Sequence, residues 1–445
     1  MSLPPTNDTI SAIATASGIA AVGIIRISGK QSFEIASKIF RSKKGKDILN
    51  LKAGQAIYGQ IIADDELIDE AILLSFRAPN SYTTEDIIEI QSHGGPAILK
   101  KILELTVKHG ARLAQAGEFT LRAFLNDRID LVQAESILNL VNAQSDSARR
   151  NAAMGLNKNL SKKLDLIQTD ITKVYASIQA VFDYPDEGVP DTEFREPLLS
   201  AIETIDSLLK TAKAGKISQQ GAKLAIIGKP NVGKSSLLNT LLGYDRSIVS
   251  NIPGTTRDYL EVMLDINGVP VLAIDTAGLR ETSDIIEEQG VVAAKDIAQN
   301  ADLVLYLFDA SQGLDGQRID SKELNLKRTI VIANKVDLID TNTKFENHIQ
   351  KISVTNNQGI DKLKNLIKEK LIGDLSSTEL WLTTERHEQA LRQVKSHLQQ
   401  ALSVSEDLAS IDLELALKAL AEITGRSEIS EETLEYIFAN FCVGK

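Results

Sequence analysis

The octapeptide Gly228-Lys229-Pro230-Asn231-Val232-Gly233-Lys234-Ser235 has the G-x-x-x-x-G-K-[ST] spacing of a phosphate-binding loop. That chemistry needs backbone N–H groups converging on phosphate oxygens, with a helix N-terminus behind them. Lys234 would bring positive charge to the terminal phosphates, and the Ser235 hydroxyl would ligate Mg²⁺. The flanking residues suit the task. Lys223-Leu224-Ala225-Ile226-Ile227 reads as a buried strand, and Ser236-Leu237-Leu238-Asn239-Thr240-Leu241-Leu242 as the start of an amphipathic helix.

Asn334-Lys335-Val336-Asp337 follows the apolar run Thr329-Ile330-Val331-Ile332-Ala333. A carboxylate at such a strand end can accept from the ring N–H and exocyclic amine of guanine, whereas adenine presents the opposite pattern. Asn334 and Lys335 would brace the base and the phosphate loop. Asp275-Thr276-Ala277-Gly278 ends a further strand, Val271-Leu272-Ala273-Ile274. Asp275 would hold Mg²⁺ through water, and the Gly278 N–H would sense a γ-phosphate. Between these boxes lies Ser250-Asn251-Ile252-Pro253-Gly254-Thr255-Thr256, where Thr256 is the candidate second Mg²⁺-ligating hydroxyl. Ser353-Val354-Thr355 could back the guanine ring. In order, the boxes resemble the guanine-nucleotide motifs of translation-factor-type GTPases over about residues 221–372.

Two departures stand out. The residue after Asp275-Thr276-Ala277-Gly278 is Leu279, where many small GTPases carry a water-positioning glutamine. Leucine offers no hydrogen bond, so another group must orient the attacking water; Glu281, Asp284, Glu287 and Glu288 are nearby candidates. Nor is there an obvious arginine finger, since Arg257 and Arg280 can equally make surface pairs.

The chain has 445 residues, 43% hydrophobic and 24% charged, enough for two or three domains. Its net charge of −11 argues against indiscriminate nucleic-acid binding. The local basic stretches, Arg41 to Lys46 and Arg149-Arg150, read first as solvated charge. A single cysteine, Cys442, excludes an internal disulfide, and the five histidines have no metal-ligand spacing. No leader pattern and no membrane-spanning run is evident, so a cytoplasmic protein is expected.

The elements around the phosphate loop fall into regions. Residues 1–118 mix short strands and helices. Ile19 to Ile27 reads as a strand, Ala56 to Ile62 and Ala71 to Phe76 as a pair across Asp64-Asp65, and Phe33 to Phe40 and Ala97 to His109 as helices. Residues 119–217 are mostly helical, with a seam of Leu160, Leu164, Ile167, Ile171, Val174, Ile178 and Val181. After a nucleotide-binding region at 218–374, residues 375–445 are helical again. Leu391, Val394, Leu398 and Leu402 make one stripe there, and Leu434, Ile437, Phe438 and Phe441 another. Packing the two helical segments together would leave the nucleotide-binding domain inserted between them.

Further fragments complete the pattern. They are Val22-Gly23-Ile24-Ile25-Arg26-Ile27-Ser28-Gly29, Pro79-Asn80-Ser81-Tyr82-Thr83-Thr84-Glu85-Asp86, Glu89 with His93-Gly94-Gly95-Pro96, Gly117-Glu118-Phe119-Thr120, Arg122 to Asp130, and Phe441-Cys442-Val443-Gly444-Lys445. The set resembles the bacterial and organellar tRNA modification GTPase family MnmE, also called TrmE, over essentially the whole chain. The C-x-G-K ending is its most discriminating part. The resemblance implies a multidomain protein: an α+β N-terminal domain that binds folate and dimerises, a discontinuous α-helical bundle domain, and an inserted Ras-like α/β P-loop GTPase domain. It implies work with the flavoprotein MnmG, in a heterotetramer, installing an aminomethyl or carboxymethylaminomethyl group at carbon 5 of the wobble uridine of certain tRNAs. A 5-formyl-tetrahydrofolate or related folate would supply the one-carbon unit, contacted by Arg26, Glu89, Arg128 and Lys445. The family often has lysine where Arg128 stands, which keeps the charge but not the contact geometry. The resemblance also implies K⁺ held by Asn231, Ser250, Ile252 and Thr255, G domains that pair face to face with GTP bound, and Glu287 as the residue that orients water. Cys442 is expected to pack or to line the folate site rather than to react.

Overall fold

The computed structural model describes residues 4–183, 194–244, 260–275, 298–313, 328–340, 343, 345–373, 380–427 and 429–445, without the side chains of 182, 244, 260, 261, 275, 406 and 407. Two compact units emerge: Met1–Leu138, Leu156–Ser161 and Lys418–Lys445 in the first, Asn139–Gly155 and Lys162–Leu417 in the second.

A seven-stranded sheet dominates the first unit. Its strands are β1 (Ile10–Ile13), β2 (Ala20–Ser28), β3 (Phe40–Ser42), β4 (Gln55–Ala63), β5 (Glu66–Phe76), β6 (Ile87–Gly94) and β7 (Arg112–Leu113), in the order β3-β4-β5-β6-β2-β1-β7. Helices α1 (Ser32–Ile39) and α2 (Pro96–Lys108) cover one face. Phe33, Ile35 and Ile39 of α1, with Leu99, Ile102 and Leu105 of α2, close over Ile25, Ile27, Leu73, Ile88 and Ile90. Because side chains alternate along a strand, burying Ile25 and Ile27 turns Arg26 to the other face. Burying Ile88 and Ile90 does the same for Glu89, and the β2–β6 register sets Arg26 opposite Glu89. The expected β4–β5 hairpin forms across Asp64 and Asp65, whose φ angles of 46° and 68° are what a tight two-residue turn requires.

Also in this unit, α3 (Glu118–Leu125) meets the last helix of the chain, Glu431–Ala439. The stripe Leu434, Ile437, Phe438, Phe441 finds its partner face in Leu121, Ala123, Ile129 and Leu131. Burying these apolar faces fixes the Phe441–Lys445 segment against the start of α3, where Val443 bridges Ala116 and Gly117 N donates to Cys442 O at 3.4 Å.

Between the first-unit helices and the nucleotide region come α4 (Leu131–Val141), α5 (Asp146–Leu156), α6 (Asn159–Asp183), α7 (Arg195–Lys210) and α8 (Ala212–Gln220). The α6 seam is buried from Leu160 to Ile178, but Val181 in the last turn is exposed. The second unit carries a six-stranded sheet: β8 (Ala222–Ile227), β9 (Leu260–Ile266), β10 (Val269–Asp275), β11 (Leu303–Asp309), β12 (Thr329–Asn334) and β13 (Ile349–Lys351), in the order β13-β12-β11-β8-β10-β9. Only β9 runs antiparallel. Near-continuous apolar strands such as Leu303–Asp309, buried throughout, are what a sheet covered on both faces demands. Helices α9 (Lys234–Tyr244) and α10 (Ile360–Ile372) follow β8 and β13. Then come α11 (Glu385–Ala401), α12 (Glu406–Thr424) and α13, the last helix named above. α7 and α11 pack together; Leu198, Ile205, Leu391, Val394 and Leu398 are buried, and Lys395 pairs with Asp206 at 2.5 Å. The order places β8 between β10 and β11. The crevice beyond its carboxyl end is where open α/β sheets of this kind bind ligands.

Candidate functional site

The phosphate-loop octapeptide occupies that crevice, between β8 and α9. Its glycines are sterically required. Gly228 has φ +152°, and a Cβ there would collide with the Leu307 carbonyl; Gly233 has φ +100°, and a Cβ would strike the Asn334 amide. Asn231 takes a left-handed backbone, φ 64°, and is exposed. The Lys234 ammonium donates to the Gly228 and Lys229 carbonyls at 2.9 and 3.0 Å, closing the loop on itself. Ser235 and Ser236 open α9 exposed, while Val232 is buried beneath.

Asn334, 2% exposed, ties the base box to this loop. Its Nδ2 donates to Val232 O at 2.8 Å, and its Oδ1 accepts from Val354 N at 3.2 Å. Ser353 is fully buried and closes a turn by mutual backbone bonds with Gln358 at 3.0 Å, leaving Thr355 exposed. Lys335 adopts φ 62° and donates its ammonium to Asp309 at 2.7 Å; Val336 N donates to Ile352 O at 3.3 Å. Asp337 follows in a 3₁₀ turn, Val336–Leu338, with its carboxylate open to solvent. Asp275 ends β10, in register with Ile226. Burial works against ionisation of Asp309, but hydrogen bonds from Lys335 and Ser311 outweigh it and hold its carboxyl below the usual carboxylate range.

A second constellation lies on the face of the first unit's sheet opposite α1 and α2. Arg26 Nε donates to the Glu89 carboxylate at 2.8 Å, and Arg26 Nη1 donates to Gly444 O at 3.2 Å. The same guanidinium stands 5.5 Å from the centroids of both Tyr82 and Phe119, and the Arg128 guanidinium stands 5.0 Å from the Tyr82 centroid. Lys445, next to Gly444, has its pKa lowered, first by burial and then by the Arg26 charge. Arg26, Glu89, Arg128 and Lys445 are thus gathered from four distant segments. Cys442 is exposed on the same C-terminal segment.

The residues holding this cluster carry little signal in sequence. Arg122, 1% exposed, donates to Asp8 Oδ1 at 2.6 Å, Glu85 Oε1 at 3.1 Å and Glu118 Oε1 at 3.0 Å. Arg112 completes the network through Asp8 and Glu118. Glu85 in turn accepts from Ser28 at 2.6 Å, two residues from Arg26. Tyr82 OH meets Thr120 Oγ1 at 2.9 Å. Tyr82, Glu85, Glu118 and Arg122 all sit in the quoted fragments, but only the fold reveals that they support one another. The basic stretches behave as solvated charge: Arg149 and Arg150 pair with Asp146, and Lys43 with Glu70.

Ser250, Asn251, Ile252, Pro253, Gly254, Thr255, Thr256, Thr276, Ala277, Gly278, Leu279 and Glu287 lie outside the described residues, as do Arg257, Arg280, Glu281, Asp284 and Glu288. Among the described residues no helix is long and apolar enough to cross a membrane, and no group of three or more His, Cys, Asp or Glu is placed to hold a metal.

Known proteins resemble this chain in sequence. The family description "MnmE helical domain" matches residues 131–442, and "GTP-binding protein TrmE N-terminus" matches residues 9–128. The chain is 45% identical over 440 residues to the tRNA modification GTPase MnmE of Thermus thermophilus, covering 98% of this chain and 99% of that relative. It is 40% identical over 464 residues to that of Desulforamulus reducens, covering 99% and 100%. Among solved structures, Era of Aquifex aeolicus aligns at 26% identity and a TM-score of 0.26, covering 41% of this chain and 68% of that one. With near-complete coverage at this identity, and with both family descriptions matched, the chain belongs to the tRNA modification GTPase MnmE family.

Proposed function

We propose that this chain hydrolyses GTP to GDP and phosphate in the course of tRNA modification. The observation that carries the nucleotide assignment is the double anchoring of Asn334, which joins the phosphate loop at Val232 to the Ser353-Val354 turn. It holds the phosphate cradle and the base box in one frame, so that a nucleotide can span both. Asp337, exposed at the end of that frame, reads the guanine edge. Lys234 exchanges its bonds to the Gly228 and Lys229 carbonyls for phosphate oxygens. The nucleotide contacts extend from Asn231 through Ser236 to Asn334–Asp337 and Ser353–Thr355, and also include the segments 250–256 and 275–278.

Ser235 and Thr256 are the residues to hold Mg²⁺, with Asp275 reaching it through water; the ion neutralises charge on the phosphates. Asn231, Ser250, Ile252 and Thr255 are the residues to hold K⁺, which supplies the positive charge an arginine finger would otherwise bring. The exposed Asn231 side chain on its left-handed backbone supports this assignment. Glu287 orients the attacking water in place of the absent glutamine. Equal GTPase rates in K⁺ and Na⁺ at matched ionic strength would remove the potassium role. Glu287→Ala is expected to bind GTP normally and to hydrolyse it slowly; normal turnover would exclude Glu287.

The N-terminal cluster serves the modification chemistry. Arg26, Arg128 and Lys445 offer three cations, and Tyr82 and Phe119 two ring faces, a donor set suited to a flat heterocycle that carries carboxylates. Burial and the Arg26 charge both lower the Lys445 pKa, and an anionic ligand would favour its ammonium form by offsetting the Arg26 repulsion. We assign this cluster to 5-formyl-tetrahydrofolate or a related one-carbon donor. The full activity then requires MnmG, a dimer through the N-terminal domain and pairing of G domains, and yields the 5-carboxymethylaminomethyl or aminomethyl group on the wobble uridine. Calorimetric titration of the full chain with 5-formyl-tetrahydrofolate tests the assignment: heat is expected with the wild-type chain and not with Arg26→Ala, and absence of binding to the wild-type chain overturns it.

A further inference from the structure

Asp309 belongs to none of the nucleotide motifs, yet it is 3% exposed and charged at the carboxyl end of β11. The parallel register sets it directly beside Asn334 on β12. One carboxylate oxygen accepts from Ser311 N at 3.0 Å and Ser311 Oγ at 2.7 Å, which fixes the side chain. The other accepts from the Lys335 ammonium at 2.7 Å. Lys335 itself sits in a left-handed turn, φ 62° and ψ 36°, a conformation a non-glycine residue holds only when its surroundings enforce it. Each residue before Asp337 is therefore tied: Asn334 to Val232, Lys335 to Asp309, Val336 to Ile352. Asp337 is left to face the base.

We infer that Asp309 is a positioning residue for guanine recognition: by pinning Lys335 it fixes the turn that aims the Asp337 carboxylate at the base edge. This rests on the GTP reading above. The anchor acts on the base side of the site, because its bonds run to Lys335 and the Ser311 turn, whereas the phosphate loop is braced separately by Asn334 and Lys234.

The test compares GDP with inosine diphosphate, which lacks the exocyclic amine that one Asp337 oxygen accepts. Fluorescent-nucleotide competition on the full chain gives both affinities for the wild-type chain, Asp309→Asn, Lys335→Met and the double variant. Asp309→Asn is expected to weaken GDP by about tenfold and inosine diphosphate by clearly less, so that discrimination narrows. Lys335→Met should narrow it similarly, and adding Asp309→Asn to Lys335→Met should change little. Equal losses for both nucleotides, an unchanged GDP affinity, or additive effects in the double variant overturn the inference. Should Asp309→Asn fail to fold, Lys335→Met alone must narrow discrimination. A wild-type chain that does not prefer GDP to ADP instead overturns the guanine reading itself.

Discussion

Arg26 Nη1 donates to the backbone carbonyl of Gly444 at 3.2 Å, joining the second strand of the chain to a residue 418 positions later. The contact exists because Gly444 adopts φ +100° and runs so close to β1 that a Cβ would collide with the Ile13 carbonyl. Gly444→Ala is therefore expected to lift the Val443–Lys445 segment off Arg26. Formyl-folate affinity should fall about tenfold or more, or ~1.4 kcal/mol, while guanine-nucleotide affinity stays unchanged. Calorimetry with each ligand checks both halves, and undiminished folate binding would separate Lys445 from the site.

Asn334→Ala removes both bonds of the frame and leaves Val232 O and Val354 N without that partner. An unsatisfied buried group costs about 1–3 kcal/mol, so GDP affinity should fall roughly thirtyfold. A stopped-flow dissociation rate with fluorescent GDP should rise by a similar factor; an unchanged rate would mean the two anchors do not set the nucleotide frame.

Arg122→Leu takes a buried cation from among Asp8, Glu85 and Glu118. Removing one partner of such a network costs about 3 kcal/mol, because Glu118 remains fully buried, and Asp8 and Glu85 partly buried, with less compensation. Urea unfolding should show a lowered midpoint. Arg112 stays on Asp8 and Glu118, so Arg112→Leu combined with Arg122→Leu should lose more than either alone.

The same network gives the protein an acid limit. Burial tends to raise the Asp8 pKa, but hydrogen bonds from Arg112 and Arg122 outweigh it and hold it below 3.8. A carboxyl depressed in the folded state stabilises above its unfolded value and loses that contribution as pH falls through the folded value. Asp8→Asn should thus be less stable than the wild-type chain at neutral pH, with the gap closing below about pH 4. Denaturation midpoints across that range measure it; a gap independent of pH would mean that shape, not charge, accounts for the effect of Asp8.

Much of this was legible because local chemistry is written in local residues. The phosphate loop needs Gly228 and Gly233 at fixed spacing, and both prove sterically obligatory. The Asp64-Asp65 turn, the α1 and α2 helices and the Leu434–Phe441 stripe follow from short-range periodicity and turn preference. Arg122 was not legible as a buried cation, since arginine on a short helix ordinarily faces water and its partner Asp8 is 114 residues away. Asp309 was equally silent, as an acid at a strand end that reads as the beginning of a loop.

The sequence by itself determined the phosphate-loop spacing and the Asn334-Lys335-Val336-Asp337 box, and through the family resemblance it singled out Arg26, Glu89, Arg128 and Lys445. Only the tertiary structure decided that those four residues meet. Strand alternation turned Arg26 and Glu89 to one face, and burial of the Leu434–Phe441 stripe against α3 carried Gly444 to them. The reason is physical. Spacing along the chain fixes what a loop or turn can bind, whereas contacts between distant segments arise from burying apolar faces that no local spacing records.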